Sequence, residues 1–140
     1  MEILSFSKLP DEAVEIRTLV FVDEQGFSKE LEFDENETRA THLVGFINGN
    51  AAATSRYYYE ECKNAYLIGR IAVKKDYRGN GLGAEIVKAA EERITAQGGK
   101  AIVIHAQLRA KGFYESLGYS QDSEVDLEEG VEHVWMKKLF

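Results

Sequence analysis

Val73-Lys74-Lys75-Asp76-Tyr77-Arg78-Gly79-Asn80-Gly81-Leu82-Gly83-Ala84 is the stretch on which the reading of this chain turns. On its N-terminal side, Ala65 to Val73 carries Tyr66, Leu67, Ile68, Ile71 and Val73 and reads as a long strand. On its C-terminal side, Ala84 to Gln97 places Ile86, Val87, Ala90 and Ile94 on one helical face, and Gly98-Gly99 ends that helix. Glycines at 79, 81 and 83 let the backbone come close to a ligand in conformations closed to other residues. The loop also opens a helix whose first N–H groups lack internal partners, which makes it a seat for phosphate. Arg78 adds a planar, permanent cation beside it, so a pyrophosphate is the natural guest. The Gly-x-Gly-x-Gly spacing does not fit the dinucleotide-binding G-x-G-x-x-G, and no Gly-Lys-Ser/Thr follows as a P-loop requires. A nucleotide phosphate remains the rival guest.

Working outward, Ile3-Leu4-Ser5-Phe6 reads as a short strand, followed by a helix with Pro10 near its first turn. Val14, Ile16, Leu19, Val20 and Phe21 form that helix's apolar face at roughly helical spacing. Asp23 to Glu37 is acidic and reads as a solvated loop with one short helix. His42 to Ile47 is a strand, Asn48-Gly49-Asn50 a hairpin turn, and Ala51 to Tyr59 the returning strand. Tyr57, Tyr58 and Tyr59 should alternate between packed and exposed faces. Ala101 to Ala106 is nearly continuous in apolar residues, as in a strand buried on both faces. A short helix over Arg109–Leu117 and two strands, Tyr119–Leu127 and Val131–Leu139, complete the chain. The order gives an α+β fold, a mixed central sheet with helices on its faces.

The chain has 140 residues, which suits a single domain spanning 1–140. Its 17 basic and 24 acidic residues give a net charge of −7, poorly suited to nucleic acid and better suited to cationic partners such as amines. No apolar run approaches the roughly 20 residues of a membrane span, and the N-terminus lacks the pattern of a signal peptide. With one cysteine, Cys62, no internal disulfide is available, and a cytoplasmic location is expected. Metal binding is not expected, because His42, His105 and His133 are scattered along the chain without paired ligand spacing.

Arg78-Gly79-Asn80-Gly81-Leu82-Gly83-Ala84 resembles the Q/R-x-x-G-x-G/A motif of the GNAT N-acetyltransferases. Gly112-Phe113-Tyr114-Glu115-Ser116-Leu117-Gly118-Tyr119 is similar to that family's F-Y-x-x-x-G-F segment, and the element order matches over essentially the whole chain. Val20-Phe21-Val22-Asp23-Glu24-Gln25, Ile68 to Val73 and His105-Ala106-Gln107 further resemble an ElaA/YjcF-like bacterial subgroup.

The resemblance implies a sheet splayed after its fourth strand, with acetyl-CoA lying in the opening. The backbone of Ile71, Ala72 and Val73 would then pair with the pantetheine arm. The loop amides of Gly79, Asn80, Gly81, Leu82, Gly83 and Ala84, with Arg78, would hold the pyrophosphate, and Gln107 falls where the family often has a pantetheine-binding Asn. Tyr114 falls on the frequent general acid, whose O–H would donate to the departing thiolate. Many relatives carry a Glu base on the fourth strand, but that position is Gly69 here. Glu24, at the end of the first helix, is the first substitute, with His42, His105 and His133 as alternatives. Arg56 and Arg70, beside the cleft, are expected to pair with the acidic stretch. The implied activity is direct acetyl transfer to a primary amine, with a non-catalytic acyl-CoA-binding module as the alternative. A homodimer is common in the family.

Overall fold

In the computed structural model, which describes residues 1–140, strands β1 (Glu2–Phe6), β2 (Thr41–Ile47), β3 (Asn50–Glu60) and β4 (Ala65–Val73) pair antiparallel in sequence order. The β2–β3 turn is the expected Asn-Gly hairpin, with φ of 51° at Asn48 and 80° at Gly49. β5 (Ala101–Gln107) lies parallel to β4 but pairs with it only at Tyr66–Ile102 and Leu67–Val103. Beyond that point the two strands diverge, which is the expected splay after the fourth strand. β8 (Val131–Leu139) runs antiparallel along all of β5 and carries two short strands, β6 (Ser120–Gln121) and β7 (Asp126–Glu128). The single strand expected over Tyr119–Leu127 is thus broken, with both short pieces resting on β8.

Helices cover both faces. α3 (Leu82–Ala96) buries Ile86, Val87, Ala90 and Ile94 against Leu43, Ala53, Tyr57 and Ile68. α1 (Asp11–Arg17) and the segment after it bury Ala13, Ile16 and Val20 against Val44 and Ala72 on the opposite face. Two short helices, α2 (Lys29–Glu32) and α4 (Lys111–Ser116), flank the splayed edge. No helix is long and apolar enough to cross a membrane.

Two local departures from regular geometry set up the site. The first is in β4, where Arg70 has φ of +52° and the β3 register shifts between Thr54 and Arg56. One extra residue in a strand reverses its facing. Ile68 therefore packs under α3, whereas Ala72, four residues on, packs under α1. The second is the widened π-helical turn over Thr18–Glu24, in which the Gln25 N–H donates to the Val20 carbonyl five residues back. An apolar face read at 3.6-residue spacing slips in such a turn. Leu19, expected inside, is 41% exposed, and Val14 and Phe21 are only half-buried.

The acidic stretch is not a solvated loop. Glu32 and Glu37 are buried, and together with Asp34 they form an ion network with Arg17, Arg56 and Arg70. Arg17 is 1% exposed and donates to Glu32 Oε2 at 3.0 Å, to the Glu32 carbonyl at 2.8 Å, and to both Glu37 oxygens at 2.9 and 2.6 Å. Arg56 and Arg70 pair with the stretch, as expected from sequence. The network fastens α2 and the turn after it to α1, β3 and β4. Tyr57 and Tyr58 are both buried, because both faces of β3 are covered, and only Tyr59 reaches solvent.

Candidate active site

The loop after β4 makes a 3₁₀ turn at Lys75–Tyr77 and then enters α3 through Gly79 (φ 83°) and Gly81 (φ 77°). Both glycines use conformations that a side chain at Cβ disfavours, and a Cβ added at either would meet nothing within 4 Å. The backbone therefore faces open space. None of the N–H groups of Gly79, Asn80, Gly81, Leu82, Gly83 and Ala84 donates to a protein acceptor; the first bond of the helix runs from the Glu85 N–H to the Gly81 carbonyl. Six consecutive uncommitted amides at a helix start form a concave, positively polarised surface suited to an anion. At Gly83 the backbone lies against Phe113, and an added Cβ would stand in ordinary contact with that ring, 3.4 Å away.

All of the residues from Gly79 to Ala84 except Asn80 line a groove of about 470 Å³ that also contains Ile71, Ala72, Val73, Arg78 and Phe113. Asn80 turns its side chain away, donating to the carbonyls of Tyr77 and Arg78. A second cavity, about 430 Å³, adjoins the groove between the splayed ends of β4 and β5 and is lined by Gly69, Arg70, His105, Gln107, Tyr114 and His133 among others. Gln25, Ile71 and Ala110 border both spaces. The residues expected from sequence thus divide: the strand end and glycine loop line the groove, and Gln107 and Tyr114 line the cavity.

Tyr114 is buried at the cavity wall, and that burial raises its hydroxyl well above the ordinary phenol range. It remains a protonated donor throughout the neutral range. Gln107 is committed across the cleft, its amide donating to Gln25 Oε1 at 2.8 Å.

Glu24, the expected substitute base, is paired with Arg78. Its two oxygens accept from Arg78 Nη1 and Nη2, each at 2.8 Å, while Arg78 Nε donates to the Val73 carbonyl at 3.0 Å. The hydrogen bonds from Arg78 hold the Glu24 carboxyl below its usual range, and a carboxylate held this way is a weaker base than a free one. It borders neither the groove nor the cavity. His42 is buried, bonded to the Glu37 carbonyl at 2.9 Å, and burial lowers its pKa, so it is a structural imidazole. His105 and His133, far apart in sequence, become neighbours with ring centroids 4.8 Å apart in the cavity wall. Sequence reasoning missed Gln25, which the π-helical turn delivers to both spaces, and it missed Asp126 and Glu128 of β7. Gln25 lies in the Val20–Gln25 segment that carried the subgroup resemblance, but the facing of all three side chains depends on the irregular turn and on the broken strand.

Residues 8–140 match the family described as the acetyltransferase (GNAT) domain. The chain belongs to the GNAT acetyltransferase family. Within it, the Bacillus subtilis (strain 168) protein named uncharacterized N-acetyltransferase YjcF is 33% identical over 129 residues, covering 91% of this chain and 90% of that one. The crystal structure of Escherichia coli ElaA superimposes with a TM-score of 0.85 at 25% identity, covering 98% of each chain. This GNAT chain therefore groups with ElaA/YjcF-like proteins. A Bacillus subtilis acetyltransferase solved in complex with CoA shares the fold, with a TM-score of 0.77 at 18% identity over 99% of this chain and 98% of that one. The eight-stranded open mixed sheet with four helices is the GNAT fold.

Proposed function

We propose that the chain acts over 1–140 as one acetyltransferase domain that moves an acetyl group from acetyl-CoA to a primary amine. The run of six uncommitted amides from Gly79 to Ala84 carries this reading, because it is built to receive the pyrophosphate of CoA. Arg78 supplies a side-chain cation at the same place, and the free edge of Ile71, Ala72 and Val73, where β5 has left β4, accepts the pantetheine arm as an added strand. The reacting thioester then lies where the groove meets the cavity, near Ile71. An amine nitrogen arriving from the cavity forms the new bond to the acetyl carbon, and the carbon–sulfur bond breaks. Tyr114 donates its O–H to the sulfur as charge develops there. The same burial that keeps Tyr114 protonated disfavours a free phenolate, so the hydroxyl takes a proton from the adduct's nitrogen as it gives up its own. Gln107, tied to Gln25, shapes the wall between the two spaces.

Acetyl-CoA with a panel of primary amines, followed by release of free thiol and by calorimetry of CoA binding, tests the proposal. Thiol release that depends on an amine supports it. CoA binding with no turnover of any amine would reduce the protein to an acyl-CoA-binding module, as the glycine at position 69 allows. Failure to bind CoA would overturn the reading altogether.

A further inference from the structure

We propose that His105, His133 and Glu128 form a seat for a primary ammonium group, and that His105 takes a proton from it. This rests on the amine-acceptor reading above and names the residues that serve it. His105 Nε2 lies 2.8 and 3.1 Å from the two oxygens of Asp126. A carboxylate only accepts, so Nε2 carries hydrogen, and the neutral ring keeps its lone pair on Nδ1. His133 Nδ1 lies 2.8 Å from the Val131 carbonyl, which fixes hydrogen there, so the neutral ring keeps its lone pair on Nε2. Between these two lone pairs stands Glu128, with Oε1 3.8 Å from His105 Nδ1 and Oε2 3.6 Å from His133 Nε2.

With both rings neutral, three acceptors converge with no donor among them, at separations too long for hydrogen bonds. Such a cluster repels itself until a donor enters, and a primary ammonium brings three N–H groups. Both imidazoles line the cavity that adjoins the cofactor groove, as do Glu128 and Tyr114. The His105 ring is held in place by stacking on Trp135, centroids 4.5 Å apart and planes 20° apart. Asp126 is its positioning residue, fixing the tautomer and facing the imidazolium that forms, as the carboxylate of a catalytic triad does. In the step itself an ammonium N–H bond breaks and its proton passes to Nδ1. The nitrogen lone pair is freed for attack, and the imidazolium later returns the proton to solvent. The titratable groups facing His105 are Asp126 and Glu128 from β7 and His133 from β8, and Arg70 and Arg109 line the same cavity. Lys63 stands 4.1 Å over the Trp135 ring.

Long-range proton–nitrogen NMR of the imidazoles at pH 7.5, titrated with n-butylamine and with n-butanol as the uncharged control, tests the seat. We expect the Nε2–H tautomer at His105 and Nδ1–H at His133. We also expect shifts at the two bare nitrogens with the amine alone, and at least tenfold weaker amine binding in Glu128→Gln. Asp126→Asn should scramble the His105 tautomer without unfolding the protein. With an accepted amine, His105→Gln should lower kcat/KM at least a hundredfold while the Kd for CoA stays within twofold. The proposal is overturned if both rings are imidazolium in the free protein, if amine and alcohol give the same spectra, or if His105→Gln turns over like wild type. A protein that shows the amine-specific shifts but does not bind CoA keeps the seat and loses the acetyltransferase reading, so the two failures are distinguishable.

Discussion

Replacing Glu24 with Gln should tighten CoA binding. Arg78 is the one cation aimed at the anion-binding loop from a side chain, yet Glu24 occupies both of its terminal nitrogens. A pyrophosphate must share that guanidinium or displace Glu24 from it. The pair is partly solvated, with Arg78 43% and Glu24 33% exposed. Exposed pairs of this kind are worth about 0.2–1 kcal/mol, and 1.4 kcal/mol is tenfold in affinity. Removing the competing carboxylate while keeping its size should therefore lower the Kd for CoA about 1.4- to fivefold at low ionic strength. The gain should vanish near 1 M salt, where the Debye length is about 3 Å. It should also vanish in an Arg78→Ala background, since nothing is then left to release. Calorimetry of wild type, both single variants and the double variant measures all of this. Mild acid will not imitate the variant, because Arg78 holds the Glu24 carboxyl below its usual range. Weaker CoA binding by Glu24→Gln would refute the argument, showing that Glu24 aims Arg78 at the ligand instead of competing for it.

Gly81→Val should abolish CoA binding, because φ of 77° is strained for a β-branched residue and its side chain would fill the open face of the loop; normal calorimetry would contradict that. Tyr114→Phe should reduce turnover and leave CoA affinity nearly unchanged, and equal turnover in a thiol-release assay would remove the hydroxyl from the chemistry. Arg17→Met should cost about 3–5 kcal/mol by leaving two buried carboxylates short of their cation, a fall of about 10–17 °C in Tm by calorimetry for 140 residues; a loss under a few degrees would show the network to be dispensable. Burial alone would raise Asp34, but the Arg56 hydrogen bonds and the charges of Arg56 and Arg70 hold it at about 2, against an ordinary 3.8. That pairing is worth about 2 kcal/mol, present above pH 4 and lost as pH falls towards 2, so Asp34→Asn should be less stable at pH 7 and converge with wild type in acid, as denaturant titrations at several pH values will read.

Much of the fold was legible because it follows regular periods. Ala65–Val73 was read to the residue as a strand, and the Asn48-Gly49 turn and the α3 stripe Ile86, Val87, Ala90 and Ile94 carry their geometry in local sequence. The glycine loop was legible for the same reason, since its conformations are those that only glycine adopts freely. The rest lay in the departures. Leu19 points outward because a π-helical turn shifts the facing of everything after it, and no propensity marks where a helix widens. The acidic stretch looked like a solvated loop, even with Arg56 and Arg70 as its expected partners, because nothing in the sequence marked Arg17 as the buried cation that Glu32 and Glu37 share. Glu24 was expected to be a base because it sits at a helix end near the cleft. What settled its state was Arg78, 54 residues away, which no spacing rule could join to it. His105 and His133 meet because β5 pairs with β8, and Asp126 joins them because β7 pairs with β8 at His133.

Glu24 and Gln25 are adjacent residues, yet they hold opposite sides of the opening. Glu24 grips the loop after β4 through Arg78, and Gln25 grips the end of β5 through Gln107. The π-helical turn makes this divergence available, because it ends the helix with consecutive side chains splayed across the gap where the sheet parts. The segment just beyond is then fastened from behind by Arg17, whose contacts to Glu32 and Glu37 leave α2 little freedom to swing. A ligand entering the groove consequently meets a wall that is rigid at its base and joined at its rim by two polar contacts, one of them exposed. Of those two, the Glu24–Arg78 pair is the weaker restraint in water, and the pyrophosphate is the group best able to replace it. Cofactor affinity should accordingly fall more steeply with ionic strength in Glu24→Gln than in the wild type, for the variant presents the whole Arg78 charge to the pyrophosphate, and salt screens that attraction until the two proteins converge.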